Sequence, residues 1–163
     1  VVNRLKARGL MLMKGAIVDS TLIAAPSSTK NNKQKARDPK AHQTKKGNQW
    51  YVGYKGHIGV DRDTSLANKM ETTAANIHDV TVVPDLMEVT GEDVHGDSGY
   101  LGVEKRDGAI LTNLFNYIVC ARPSSLKKRF AGKDNEAAVT AEHAKSSVCC
   151  KGEHVSIAGC CRE

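Results

Sequence analysis

The run Gly15-Ala-Ile-Val-Asp-Ser-Thr-Leu-Ile-Ala-Ala25 constrains this chain more than any other stretch. It is short, apolar and rich in β-branched residues, and Pro26 with the two serines after it ends it. Such a run reads as a central strand. Asp19 stands in its middle. A charge in that place is strongly disfavoured unless it is paired or bound to a metal. From the residues alone two readings stay open: an aspartate that caps a nearby turn or meets a lysine, or a carboxylate kept for chemistry.

The flanking segments supply the layers around such a strand. Val1 to Lys14 reads as the end of a short helix, with Leu5, Leu10, Met11 and Leu12 as its apolar side. From Lys30 to Lys46 the chain is polar and basic, with no periodicity and no apolar face, and reads as a long loop. Trp50 to Val60 has a strand pattern, Asp61-Arg-Asp-Thr a turn pattern, and Leu66 to Thr73 completes a hairpin. Val82 to Val89 is a helix candidate if Pro84 lies in its first turn, with Asp79 as its cap. Glu92 to Asp97 and Phe115 to Ala121 read as further strands, although Glu92-Asp-Val-His-Gly96 is poor in core residues. Ala137 to Gly152 favours helix by composition, with Gly152 a weak point near its end. Strand, hairpin, helix, strand, strand, helix suits a mixed α/β layer architecture.

With 163 residues the chain has enough length for one domain with a real core. Aromatics make up only 4%, so that core must rest on Val, Ile, Leu, Ala and Met. A net charge of +6 and a pI near 9.1 favour a polyanionic partner, a nucleic acid or an anionic membrane surface. No apolar run approaches the roughly 18 residues that span a bilayer, so no membrane role is expected. Lys6 and Arg8 interrupt the N-terminal segment, which does not read as a signal peptide. Five cysteines, an odd number, do not suggest a secreted disulfide framework, and a cytoplasmic location is expected.

Three acids attract attention as a group. Asp97 closes a strand-like run, and ligands of α/β sheets gather at the carboxyl ends of strands. Glu153 lies on or beside the last helix. With Asp19 they would hold divalent metal, and two such ions roughly 4 Å apart stabilise the attacking and leaving oxygens of a phosphodiester displacement. Mg²⁺ suits oxygen ligands of this kind. The basic loop offers Lys30, Lys33, Lys35, Arg37, Lys40, Lys45 and Lys46 as phosphate contacts, with a solvated loop as the alternative. Trp50 and Tyr51 are expected in the core, the alternative being stacking on a flipped or terminal base. His57 and His78 are expected to be structural. Cys149-Cys150, His154 and Cys160-Cys161 invite a zinc reading, but the spacing is not a paired Cys-x-x-Cys.

Several blocks carry a family resemblance. They are Gly15 to Lys30, Lys35 to Tyr51, Lys55-Gly-His-Ile-Gly-Val-Asp61, Thr72-Thr-Ala-Ala-Asn-Ile-His-Asp-Val-Thr81 and Asp97-Ser-Gly-Tyr-Leu-Gly-Val-Glu-Lys-Arg106. In their order and spacing they strongly resemble the DDE transposases of bacterial insertion sequences. The resemblance is clear from about Gly9 to Arg106 and weaker from there to about Glu153. It implies an RNase H-like α/β fold, a mixed sheet flanked by helices. It also implies an acidic triad, which falls on Asp19, Asp97 and, in Val148-Cys-Cys-Lys-Gly-Glu-His154, on Glu153. The implied function is metal-dependent phosphodiester hydrolysis and strand transfer in DNA transposition, by transesterification without a covalent enzyme intermediate. Asp19 and Asp97 would hold two Mg²⁺ (or Mn²⁺) ions between them, and Glu153 would complete one ion's shell. The implied partner is double-stranded DNA, both element ends and target, with paired ends calling for more than one subunit.

The chain departs from that pattern near its end. The Tyr, Arg and Lys that accompany the family's Glu are replaced by Ser146, Cys149 and Cys160, and Gly152 takes the place of an apolar residue. Residues 1–163 are thus expected to form one RNase H-like catalytic domain of a truncated copy. The helical N-terminal domain and the basic tail of full-length members are not expected in it. The alternative to an active enzyme is a catalytically inactive, basic, DNA-binding remnant.

Overall fold

A computed structural model describes residues 1–25, 38–87, 93–105, 115–122, 124–126 and 136–160, with 153–160 described by their backbone alone. The β-branched run that dominates the sequence becomes β1 (Gly15–Ala24), the hub of a six-stranded mixed sheet. β3 (Gln49–Asp61) pairs antiparallel with it, from Ala16 opposite Asp61 to Ala24 opposite Gly53. On its other side β5 (Asp93–Gly96) runs parallel to β1, and β6 (Asn116–Val119) runs parallel to β5. β4 (Ala67–Ala74) pairs with β3 from Tyr54 to Val60, and β2 (His42–Lys46) pairs with it from Gln49 to Gly53. This is the mixed α/β sheet flanked by helices that the sequence leads one to expect.

Alternation along β1 divides the core between two faces. Ala16 and Val18 join Val94, Tyr100 and Val103 in one cluster, covered by Val80, Val82, Val83, Leu86 and Met87. Those covering residues come from a 3-10 turn (Asp79–Val82) that runs straight into the single-turn helix α2 (Val83–Leu86). Pro84 sits in the first turn of α2, where a missing N–H costs nothing. Ile17, fully buried, faces the opposite layer, where the long helix α3 (Glu136–Cys160) crosses β1, β3 and β5. At the N-terminus α1 (Val2–Ala7) is followed by a segment tied down by Asp61, whose buried carboxylate accepts the N–H of Met13 at 3.0 Å and that of Thr64 at 3.1 Å.

Three expectations are corrected. His42–Lys46 is a strand and not part of a loop: its backbone pairs with β3 although its side chains have no apolar face. Asp79 does not cap the α2 segment; the His78 ring accepts the Val80 N–H at 3.3 Å, while Asp79 is engaged elsewhere. Trp50 is not in the core but 66% exposed. The unpromising strand before Asp97, by contrast, is interior: Val94, His95 and Gly96 are all buried between β1 and β6. Among the described residues no helix is long and apolar enough to cross a membrane.

Candidate active site

The burial of β1 changes at one residue. Gly15 to Val18 are buried, and Asp19 is the first position outside the core. The charge therefore sits where β1 leaves the packed interior, which removes most of the penalty a mid-core carboxylate would carry. The parallel register with β5 then sets its neighbour. Ile17 is opposite His95 and Val18 opposite Gly96. The next residue on each strand is an aspartate, Asp19 on β1 and Asp97 after β5.

Asp97 is held in place by the turn it starts. Its carboxylate accepts the N–H of Gly99 at 2.8 Å and caps the 3-10 turn Ser98–Tyr100. A Cβ on residue 99 would lie 2.9 Å from Asp97 Oδ1, so only glycine leaves the carboxylate there. The loss of water around Asp97 raises its pKa above the usual aspartate value. The Gly99 hydrogen bond opposes the shift, the charges of Asp19 and Asp79 add to it, and Lys46 lowers it.

Asp19 and Asp97 open on one cleft of about 460 Å³. Its wall includes Thr44, Lys45 and Lys46 of β2, Lys55 of β3, and Asp79. Lys55 Nζ donates to Asp79 Oδ1 at 2.9 Å and to the Ile77 carbonyl at 2.8 Å. His57 lies behind this pair, fully buried, with Nε2 and Thr73 Oγ1 2.8 Å apart and Nδ1 3.9 Å from Asp79 Oδ1. Burial lowers the His57 pKa, Asp79 raises it and Lys55 lowers it. The cleft thus gathers carboxylates from β1 and from just past β5 with ammonium groups from β2 and β3.

Helix α3 reaches the same place from the other layer. A Cβ on Gly152 would meet Ile17 Cγ2 at 2.8 Å and Asp19 Cβ at 3.7 Å. At this glycine α3 lies directly against β1, with no room for a side chain, one residue before Glu153. The Glu153 side chain lies outside the described residues. Among the described residues no cluster of three metal-ligating side chains occurs.

Of the other anticipated residues, Lys45 and Lys46 line the cleft and Lys40 is exposed before β2. Lys30, Lys33, Lys35 and Arg37 lie outside the described residues, as do the His154, Cys160 and Cys161 side chains of the zinc reading. Cys149 faces the sheet: its Sγ is 3.5 Å from Cys120 Sγ, just past β6. Of the two histidines expected to be structural, His57 is buried against Thr73 and the His78 ring accepts the Val80 N–H. Lys55 and Asp79 were not anticipated as cleft residues. The available signal was Lys55 itself, a charge inside a strand pattern like that of Asp19.

A family model described as a transposase DDE domain matches residues 11–150, most of the chain. The match takes in Asp19 and Asp97 and stops short of Glu153. No solved structure matches the chain.

Proposed function

The chain belongs to the transposase DDE domain family, and from that premise we propose that its cleft binds DNA and carries out metal-dependent strand cleavage and transfer for an insertion sequence. Family membership implies a DNA substrate and divalent metal ions. The observation that carries the finer reading is the side-by-side placement of Asp19 and Asp97 on parallel strands, at a cleft walled by lysines.

The donor set fits a hard divalent cation. Two carboxylates open on one cleft, and beyond the upward shift that burial gives Asp97 the charges of Asp19 and Asp79 raise its pKa further, a load of negative charge that a bound cation would offset. Asp19 and Asp97 would hold Mg²⁺ or Mn²⁺, with Glu153 as the third ligand on α3. Such ions, when bound, lower the pKa of water and offset charge on the leaving oxygen. The protein's own part is positioning. Lys45 and Lys46 neutralise phosphates along the cleft wall and keep the strand in register. Lys55, fixed by Asp79 and the Ile77 carbonyl, presents a cation in a set direction. Gly99 keeps Asp97 aimed into the cleft, and Gly152 lets α3 bring residue 153 up to β1.

Cleavage of DNA carrying the element's ends, in Mg²⁺ or Mn²⁺, tests this reading. Wild-type cleavage that Asp19→Ala abolishes supports it. If both proteins bind DNA but neither cuts, the second reading holds, that of a DNA-binding remnant. Cys149 packed on Cys120, where a family cation would serve DNA, favours that outcome.

A further inference from the structure

The stretch over which β2 and β3 pair, His42 to Gly53, adds no buried hydrophobic side chain to the core. Its loop is only Gly47-Asn48, since Lys46 pairs with Gln49, and Gly47 takes the positive φ of +61° that such a tight loop needs. The side chains around it, from Lys45 to Trp50, are exposed. Trp50 is the chain's one tryptophan, and 66% of its surface is open. Its cross-strand partner is Lys45, whose Nζ lies 5.9 Å from the ring centroid. Lys45 and Lys46 are in turn part of the cleft wall that holds Asp19 and Asp97. Beyond that cross-strand contact, most of this large aromatic ring is exposed at the rim of a carboxylate cleft, next to the strand that carries both lysines.

We propose that this hairpin is a binding site for unpaired nucleotides: Trp50 stacks on a base that has left the duplex, while Lys45 and Lys46 hold the phosphates beside it. The charge of the lysines selects a polyanion, and the ring selects a flat π-face. Bases inside a duplex have both faces covered by their neighbours, so an indole finds a free face only on an unstacked base. The inference rests on the DNA reading of the cleft and adds to it a preference for single-stranded or frayed DNA. It carries little sequence specificity, because every base has a π-face.

Trp50 reports on its own contact. Titrating the full chain with a mixed-sequence single strand should quench tryptophan emission by more than about half, and a blunt duplex of the same sequence should leave it nearly unchanged. Trp50→Ala should weaken single-strand binding, read by anisotropy of labelled DNA, by about tenfold, with duplex binding the same within about twofold. Lys46→Gln should weaken both and flatten the salt dependence of each. Salt-dependent DNA binding without quenching, or equal quenching by both DNAs, overturns the stacking proposal and leaves the cleft reading intact. Absence of binding to either DNA overturns both.

Discussion

Asp19 and Asp97 stand side by side at one end of a parallel strand pair, each one residue beyond the registered partners Val18 and Gly96. Nearly 80 positions of sequence, ~80 as a round figure, separate them, yet four paired residues on β1 and β5 suffice to bring them to one cleft. The consequences can be measured at each residue that builds this arrangement.

Asp97 is held at a cost. Its pKa is raised above the ordinary 3.8, chiefly by loss of water, so the folded state holds the proton more tightly than the unfolded chain. The associated stability is present below the unfolded value and is lost as pH rises through the folded one. Asp97→Asn keeps an acceptor for the Gly99 N–H and removes the charge. It should raise stability at neutral pH by about 0.5 kcal/mol or less after solvent screening, the gain vanishing below pH 3.8. DNA cleavage should be lost in the same variant. A thermal melt across pH reads the first effect, and a variant less stable at pH 7 than wild type contradicts the account.

His95 is buried beside Ile17 and Ile118, and neither ring nitrogen has a hydrogen-bond partner among the described residues. His95→Leu should stabilise the fold by about 1–2 kcal/mol, because a buried polar group without a partner is replaced by an apolar one. Burial lowers the pKa of both His57 and His95 from 6.5, with Arg62 adding to the effect at His95. The unfolded chain therefore takes up protons that the folded chain refuses, and stability should fall as pH drops below 6.5. Urea unfolding at pH 7 and pH 5 should show a smaller loss for His95→Leu than for wild type. An equal loss would remove His95 from the explanation.

Gly152 offers a contest between two opposed effects. Alanine should gain about 1 kcal/mol of helix propensity. Its Cβ would also press on Ile17 at 2.8 Å, and overpacking of a rigid site costs about 1–3 kcal/mol. Net destabilisation by up to about 2 kcal/mol is expected, with cleavage reduced as α3 moves off β1. A Gly152→Ala protein more stable than wild type would show that helix and strand do not meet closely there.

Cys120 and Cys149 test the same helix from another side. Their sulfurs are 3.5 Å apart, and burial raises both thiol pKa values. Cys150 on the next helix position is exposed. Brief alkylation should therefore label Cys150 before either of the other two. Sustained oxidation by copper phenanthroline should join Cys120 to Cys149, seen by peptide mass as the loss of two hydrogens, and Cys120→Ser should prevent it. A crosslink that instead joins Cys120 to Cys150 would mean that α3 is rotated.

What could be read from the sequence follows from what holds each element. β1 is written in the residues as a short β-branched apolar run, and the β3–β4 hairpin as a strand pattern followed by the turn pattern Asp61-Arg-Asp-Thr. β2 was missed because His-Gln-Thr-Lys-Lys has no face to bury; backbone pairing with Gln49–Gly53 alone makes it a strand. β5 looked poor because His95 and Gly96 are unusual in a core, yet parallel pairing on both sides buries them regardless. Asp19 and Asp97 were legible as carboxylates at strand positions that could meet, and the resemblance singled them out from the other acids. The Lys55–Asp79 pair spans 24 residues and has no local spacing to betray it. Trp50 was expected in the core because most tryptophans are buried, but it lies where β3 runs past its last pair with β1, Gly53, and is covered by no strand on that side among the described residues.

The proposed sharing of divalent metal by Asp19 and Asp97 is tested without recourse to turnover by calorimetric titration of the protein with Mn²⁺. Saturable binding to wild type is predicted, weakened by about tenfold or more in Asp19→Asn and again in Asp97→Asn. Folded variants that bind Mn²⁺ as wild type does would contradict it.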